Sequence, residues 1–196
     1  MRFAVLASIA VSVPAVCFVA LAKDTPHSVP QPSDIPNQAI DFRGFLVVAR
    51  EVASYRENRR VSEEVFLEMS REEGTIVLDT RSAAKFAELH IQGARHLNFS
   101  DITKESLAEA IPEKDTRILI YCNNNFRGRP VEFAAKMPPA ALNIPTFVTL
   151  YEYGYRNIYE LGPVIDADKS ELPLVSSAEE AERALESAAA VPKAAD

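Results

Sequence analysis

The chain has 196 residues, with 21 Lys plus Arg against 28 Asp plus Glu, and a formal net charge of −7. That length fits one domain with appendages, and an apolar content of 47% excludes a wholly disordered chain. The acidic balance argues against a nucleic-acid partner, which needs a basic surface to displace counterions. Two cysteines (Cys17, Cys122) and three scattered histidines (His27, His90, His96) argue against a disulfide scaffold and against any metal site.

Residues 1–22 read as a signal peptide. Arg2 precedes an uncharged apolar run from Phe3 to Ala22 that ends in Ala20-Leu21-Ala22, a basic start followed by an apolar stretch and small residues at the cleavage positions. The alternative is an uncleaved anchor, the only route to a membrane contact, since about 20 apolar residues also span a bilayer. Export follows from either, to the periplasm or cell envelope in a bacterium and to the exterior otherwise. Cleavage after Ala22 removes Cys17 and leaves Cys122 as the lone thiol of an exported chain, either buried and inert or kept for its reactivity. Residues 23–39, with Pro26, Pro30, Pro32 and Pro36, form an extended linker.

Residues 40–60 hold an N-terminal helix. Phe42, Phe45, Ala49 and Val52 recur on one stripe, widened by Leu46 and Ala53, and the stripe needs the main domain to pack on. The cluster Arg56, Arg59, Arg60 reads as its solvated end, with anion binding as the minor reading. Residues 61–165 alternate short apolar runs with helical stretches. Ser62 caps a helix to about Arg71, Thr75–Asp79 is a buried strand, Ser82–Leu89 makes a turn or two of helix, and Arg95–Phe99 makes another strand. Thr103 caps a helix to Ile111, Arg117–Tyr121 is the clearest strand, Asn143 and Pro145 open a helix that Gly154 closes, and Asn157–Leu161 is the last strand. This alternation predicts an α/β domain with a mostly parallel sheet. Residues 166–196, rich in Ala and Glu, predict a mobile tail with too little apolar surface to hold a helix down.

In such sheets ligands bind beyond the carboxyl ends of the strands, which is where Cys122 stands. Asn123-Asn124-Asn125-Phe126-Arg127-Gly128-Arg129 follows. Asn tolerates left-handed backbone, so the loop can curl its N–H groups inward as an anion nest. Arg127 and Arg129 add positive charge, which favours a thiolate. The residues alone leave two readings open: a reactive thiol, or a small hydrophobe ending a strand with three asparagines making a turn.

Several pieces, in order, resemble the rhodanese-like family over about Val61 to Gly162. Ile76–Ser82 looks like its strand and Asp-x-Arg opening. Phe86–Ala94 resembles its His-Ile-x-Gly-Ala element, with Asn98 following. Ile118–Cys122 resembles the strand into its active-site cysteine, and Tyr153–Leu161 its closing strand. The resemblance implies an open, mostly parallel sheet flanked by helices on both faces. It also implies a sulfurtransferase or sulfane-sulfur carrier with no metal or organic cofactor. Cys122 is then the nucleophile that takes sulfur from a small anionic donor as a persulfide and passes it to cyanide or a thiol. Asn123, Asn124, Asn125, Phe126 and Arg127 become the cradle, with Arg127 attracting the donor, and Asp79, Arg81 and His90 are structural support. The Cys-x4-Arg loop is one residue shorter than in the related dual-specificity phosphatases, which points to sulfur rather than phosphate.

Three departures stand out: Asn125 where the family often has Gly, Leu89 where it has Gly before the histidine, and a proline-containing stretch, Gly128–Ala141, between the loop and the next helix. That stretch can cover the site, reshape its pocket or carry Arg127 away. A protein-binding module without catalysis and a thiol redox sensor are the rival functions.

Overall fold

A computed structural model of the chain describes residues 37–189. The expected signal peptide, most of the linker and residues 190–196 lie outside the described residues. Among the described residues, no helix is long and apolar enough to cross a membrane.

The centre of the domain is a five-stranded sheet with every pairing parallel. Its strands are β1 (Arg60–Val61), β2 (Ile76–Asp79), β4 (Arg95–His96), β5 (Ile118–Tyr121) and β7 (Ile158–Leu161), in the spatial order β1-β7-β5-β2-β4. β5 is central and buried at every position. Its side chains alternate between two cores, as a strand's period of two requires. Ile118 and Ile120 join Leu78, Ile158 and residues of α1 (Phe42–Arg56), α4 (Lys104–Ala110) and α5 (Asn143–Glu152). Leu119 and Tyr121 join Val77, Leu161 and Phe66 of α2 (Glu63–Ser70). Helices therefore cover both faces, as expected.

Local chemistry sets the helix ends. Ser62, Ser82 and Thr103 cap α2, α3 (Ala83–Glu88) and α4 by accepting from Val65, Lys85 and Ser106 N–H. Gly154 follows α5 at φ +91°, a conformation that costs glycine little. α1 packs on α5 through buried Val52 and half-buried Val48 and Ala49, whereas Phe42, Phe45, Leu46 and Ala53 of the expected stripe stay exposed.

Two expectations are corrected. The arginine cluster at the end of α1 is paired rather than merely solvated, with Arg60 still half exposed. Arg56 and Arg60 pair with the Glu160 carboxylate, and Arg59 lies over the rings of Tyr55 and Tyr159. Arg60 itself opens β1, an edge strand too short to show any alternation in sequence.

The tail from residue 166 is not loose up to Ala189. β8 (Ile165–Asp166) pairs with β6 (Phe126–Arg127), β9 (Leu174–Val175) pairs with β3 (His90–Ile91), and α6 (Ser177–Ala189) packs on α3. The reason is burial of a few apolar side chains, Ile165, Leu172 and Val175, that sequence analysis gave no element to pack on. Leu172→Ala is expected to lower unfolding free energy by about 2–5 kcal/mol in urea titrations; a loose tail would leave it unchanged.

Candidate functional site

β5 delivers Cys122 in extended backbone (φ −148°, ψ −179°) to the carboxyl edge of the sheet. The thiol residue is 2% exposed. Asn123–Asn125 then make one 3₁₀ turn. Left-handed backbone is not used: no non-glycine among the described residues has positive φ. The asparagines instead spend their side chains on neighbouring chain. Asn123 accepts from Arg81 Nη1 at 3.2 Å and donates to Ala134 O at 2.9 Å. Asn124 donates to Lys136 O and accepts from Lys136 N–H, at 2.7 and 3.0 Å. Asn125 is buried. Its Oδ1 accepts from Cys122 N–H and Asn143 Nδ2, and its Nδ2 donates to Leu161 O and Pro163 O.

These bonds settle where Gly128–Ala141 lies. It covers the site, pinned by Asn123 and Asn124 and by Lys85 Nζ on Val131 O. The chain then returns to start α5 against the cysteine. Leu142 caps α5 without a side-chain bond, so the first-turn N–H groups need other partners. Those of Asn143 and Leu142, with that of Asn124, stand near the Cys122 sulfur and favour its charged form. A helix start thus stands at the thiol despite the intervening segment, and its dipole favours negative sulfur.

Burial works the other way. Desolvation is the largest influence on Cys122 and pushes its pKa up; the three N–H groups pull it down, and the nearby Glu160 charge pushes up again. The net direction is upward, so the resting group is a neutral thiol.

One cavity beside the cysteine has a volume of about 340 Å³. Arg81, Ser82, Lys85, Ser100 and Lys136 line it, and no carboxylate among the described residues does. Arg81 and Lys85 are paired to Asp79 and Glu88, whereas Lys136 has no ion-pair partner among the described residues.

The predicted site residues are only partly brought together. Cys122, Asn123 and Asn124 line the cavity. Asn125 ties the turn from behind, and its N–H goes to Cys122 O rather than to the sulfur. Phe126 is buried, its ring stacked on Phe133 at 4.1 Å. Arg127 points outward from β6 and lines neither this cavity nor the one on the α1 side.

Asp79 and Arg81 form a buried ion pair, with Arg81 Nε 3.0 Å from both carboxylate oxygens and Nη2 at 2.6 Å. Burial opposes the Arg81 charge, but Asp79 outweighs it and raises the pKa. Tyr121 donates to Asp79, and burial followed by the Asp79 charge keeps the phenol protonated. His90 is fully buried away from the cysteine, donating from Nδ1 to Phe86 O at 2.7 Å.

Leu142, Asn143, Lys136 and Lys85 were not singled out from sequence. The one available signal was the helix start at Asn143 and Pro145, which sequence analysis placed correctly but gave no part at the thiol.

With its pKa raised, Cys122 holds its proton more tightly folded than unfolded. It therefore adds stability fully below the unfolded thiol value, and that contribution shrinks as pH rises past about 8.5. Iodoacetamide labelling of the native protein is expected to be slow at pH 7 and to rise only above pH 9, measured by intact mass. A midpoint below 8 would contradict the balance of forces described above.

A family model for the rhodanese-like domain matches residues 62–161. The thiosulfate sulfurtransferase GlpE of Pseudomonas putida (strain GB-1) is 35% identical over 69 residues, which is 35% of this chain and 62% of that protein. The chain thus spans less than two thirds of that curated relative. The crystal structure of Alr3790 from Anabaena sp. is similar at 16% identity, covering 68% of this chain and 94% of that one, with a TM-score of 0.44. Protein hp1203 of Helicobacter pylori 26695 is similar at 24% identity, covering 63% and 94%, with a TM-score of 0.42. The match over Ser62–Leu161, on strands and helices in the order its residues predicted, makes this chain a member of the rhodanese-like domain family.

Proposed function

We propose that the protein is a sulfurtransferase or sulfane-sulfur carrier that works through a persulfide on Cys122. The carrying observation is the set of three backbone N–H groups, from Asn124, Leu142 and Asn143, around a strand-end sulfur beside a cavity that holds cations and no carboxylate. Such donors stabilise negative sulfur as it forms, without reorganising. A small dianion such as thiosulfate enters past Lys136 and Lys85. The Cys122 thiolate attacks its outer sulfur, a Cys122–S–S⁻ group forms, and the old S–S bond leaves its electron pair on sulfite. A thiol or cyanide then removes the outer sulfur. The charge on Cys122 stands beside backbone N–H groups before the attack, and the charge on sulfite leaves past the cations of the cavity wall.

Lys136 takes the part of donor attraction that sequence analysis gave to Arg127, because it stands on the cavity wall and Arg127 does not. The initial segment directs export in this reading, and the natural donor is met outside the cytoplasm. A second reading, a rhodanese-like module that binds a protein partner without turnover, draws support from the burial of Cys122 and the cover over it.

Intact mass separates the two. Thiosulfate is expected to add one sulfur, reversed by cyanide and absent in Cys122→Ser. Lys136→Ala is expected to raise the thiosulfate KM about fivefold, an effect that fades with added salt. No added sulfur with thiosulfate or a persulfide donor would leave the binding role.

A further inference from the structure

Cys122 also stands in the wall of a second cavity, of about 260 Å³. The two cavities share only Cys122 and Asn124 among their walls. Arg56, Arg60, Glu160, Asn143 and Gly162 line the second one. Here the charge pattern differs. Glu160, 1% exposed, takes Arg56 Nε and Nη2 at 2.9 and 2.7 Å and Arg60 Nε at 3.0 Å. Arg60 Nη2 donates to Gly162 O at 3.2 Å. The Nη1 groups of both arginines make no hydrogen bond to the described residues, so two guanidiniums against one carboxylate leave one net positive charge and free donors.

A second observation points to a ligand. Asn143 is 6% exposed and donates from Nδ2 to Asn125 Oδ1 at 3.1 Å, yet its own Oδ1 is buried without a partner. A buried acceptor left empty costs free energy, and here it belongs to a residue of the cavity wall. The wall thus offers a cationic edge, a lone acceptor and the cysteine.

We propose that this cavity is an acceptor subsite for a small thiol that carries a carboxylate and an N–H donor. The carboxylate lies against Arg56 and Arg60, the N–H meets Asn143 Oδ1, and the thiol reaches the sulfur on Cys122. The donor takes the lysine-lined cavity, whose wall holds no carboxylate, and the acceptor takes this one, so the two substrates approach one sulfur by separate mouths. This rests on the persulfide reading above. In the step itself the acceptor thiol gives its proton to the Cys122–S–S⁻ group, and its sulfur lone pair then attacks the outer sulfur of the resulting Cys122–S–SH. A new S–S bond forms, giving R–S–SH. The old S–S bond breaks with its electron pair on Cys122, whose thiolate takes a proton back. No net oxidation occurs.

The test uses persulfide-loaded protein discharged by N-acetylcysteine or by its neutral amide. The wild type is expected to prefer the carboxylate thiol, and Arg60→Met to cut the ratio of the two rates about tenfold, with Arg60→Lys recovering part of it. In Cys122→Ser protein, N-acetylcysteine is expected to shift the amide NMR signals of Gly162 and Ala141 rather than those of Ser82 and Ser100. An unchanged ratio in Arg60→Met, an equal fall in Lys136→Ala, or shifts at Ser82 and Ser100 would overturn the acceptor subsite alone. Failure of any donor to load Cys122 would overturn the persulfide reading, and the acceptor role with it.

Discussion

The site depends on one buried amide. Asn125 accepts from the Cys122 N–H and the Asn143 side chain, and donates to the carbonyls of Leu161 and Pro163. Those groups belong to the end of β5, the start of α5 and the end of β7, so a single side chain closes three elements around the cysteine. Between the first two lies the whole Gly128–Ala141 segment, whose length alone would let α5 start in many places. The loop-closure entropy of that segment grows only slowly with its length, so bonds at its two ends suffice to fix the register. In this arrangement the helix start meets the sulfur although the two are far apart in sequence.

Two effects compete at that sulfur, and their sizes decide whether burial forbids catalysis. Each unit by which a thiol pKa stands above ambient pH cuts its ionised fraction about tenfold, while the thiolate that remains gains about threefold in nucleophilicity. Burial therefore costs about threefold in rate per unit rather than tenfold. It also keeps the resting thiol neutral, and thiols oxidise mainly as thiolates. In the proposed reaction the N–H groups of Asn124, Leu142 and Asn143 act whenever charge appears, both when the thiolate attacks and when it leaves. A raised resting pKa is thus compatible with a covalent role.

Much of the fold was legible because it rests on local signals. β5 is an apolar run buried at every position, β2 and β7 are largely buried, and Ser62 and Thr103 cap the helices they were expected to cap. What escaped sequence analysis depends on partners distant in the chain. β3, β6, β8 and β9 have two residues each and exist only through their pairings. Glu160 looks like a surface residue in sequence and is buried because Arg56 and Arg60 come from an element a hundred residues earlier. The site was legible at Cys122 and at the Asp79–Arg81 pair. The three asparagines were legible as special but not in their role, since an amide can shape a loop through its backbone or through its side chain, and sequence does not say which.

The position of positive charge follows from the same long-range contacts. Arg127 sits in β6, and its carbonyl accepts from Ala167 N–H in the segment after β8. Phe126 beside it is held by Phe133. With one neighbour buried and the backbone paired, the Arg127 side chain has only the outward face left. Phe133 belongs to the covering segment and β8 to the C-terminal part, so these two pieces together decide that the loop's own arginine faces away. The covering segment also carries Lys136 to the cavity wall, where Asn124 holds its backbone on both sides. The one contact pattern that turns Arg127 out is thus inseparable from the one that brings Lys136 in. Anion attraction then depends on a segment pinned by the amides of Asn123 and Asn124, whereas the sulfur cradle depends on the Asn125 amide buried behind it. In the proposed reaction the cradle and the charge that serves it are thus held by different bonds, so donor affinity can change without disturbing the geometry at sulfur.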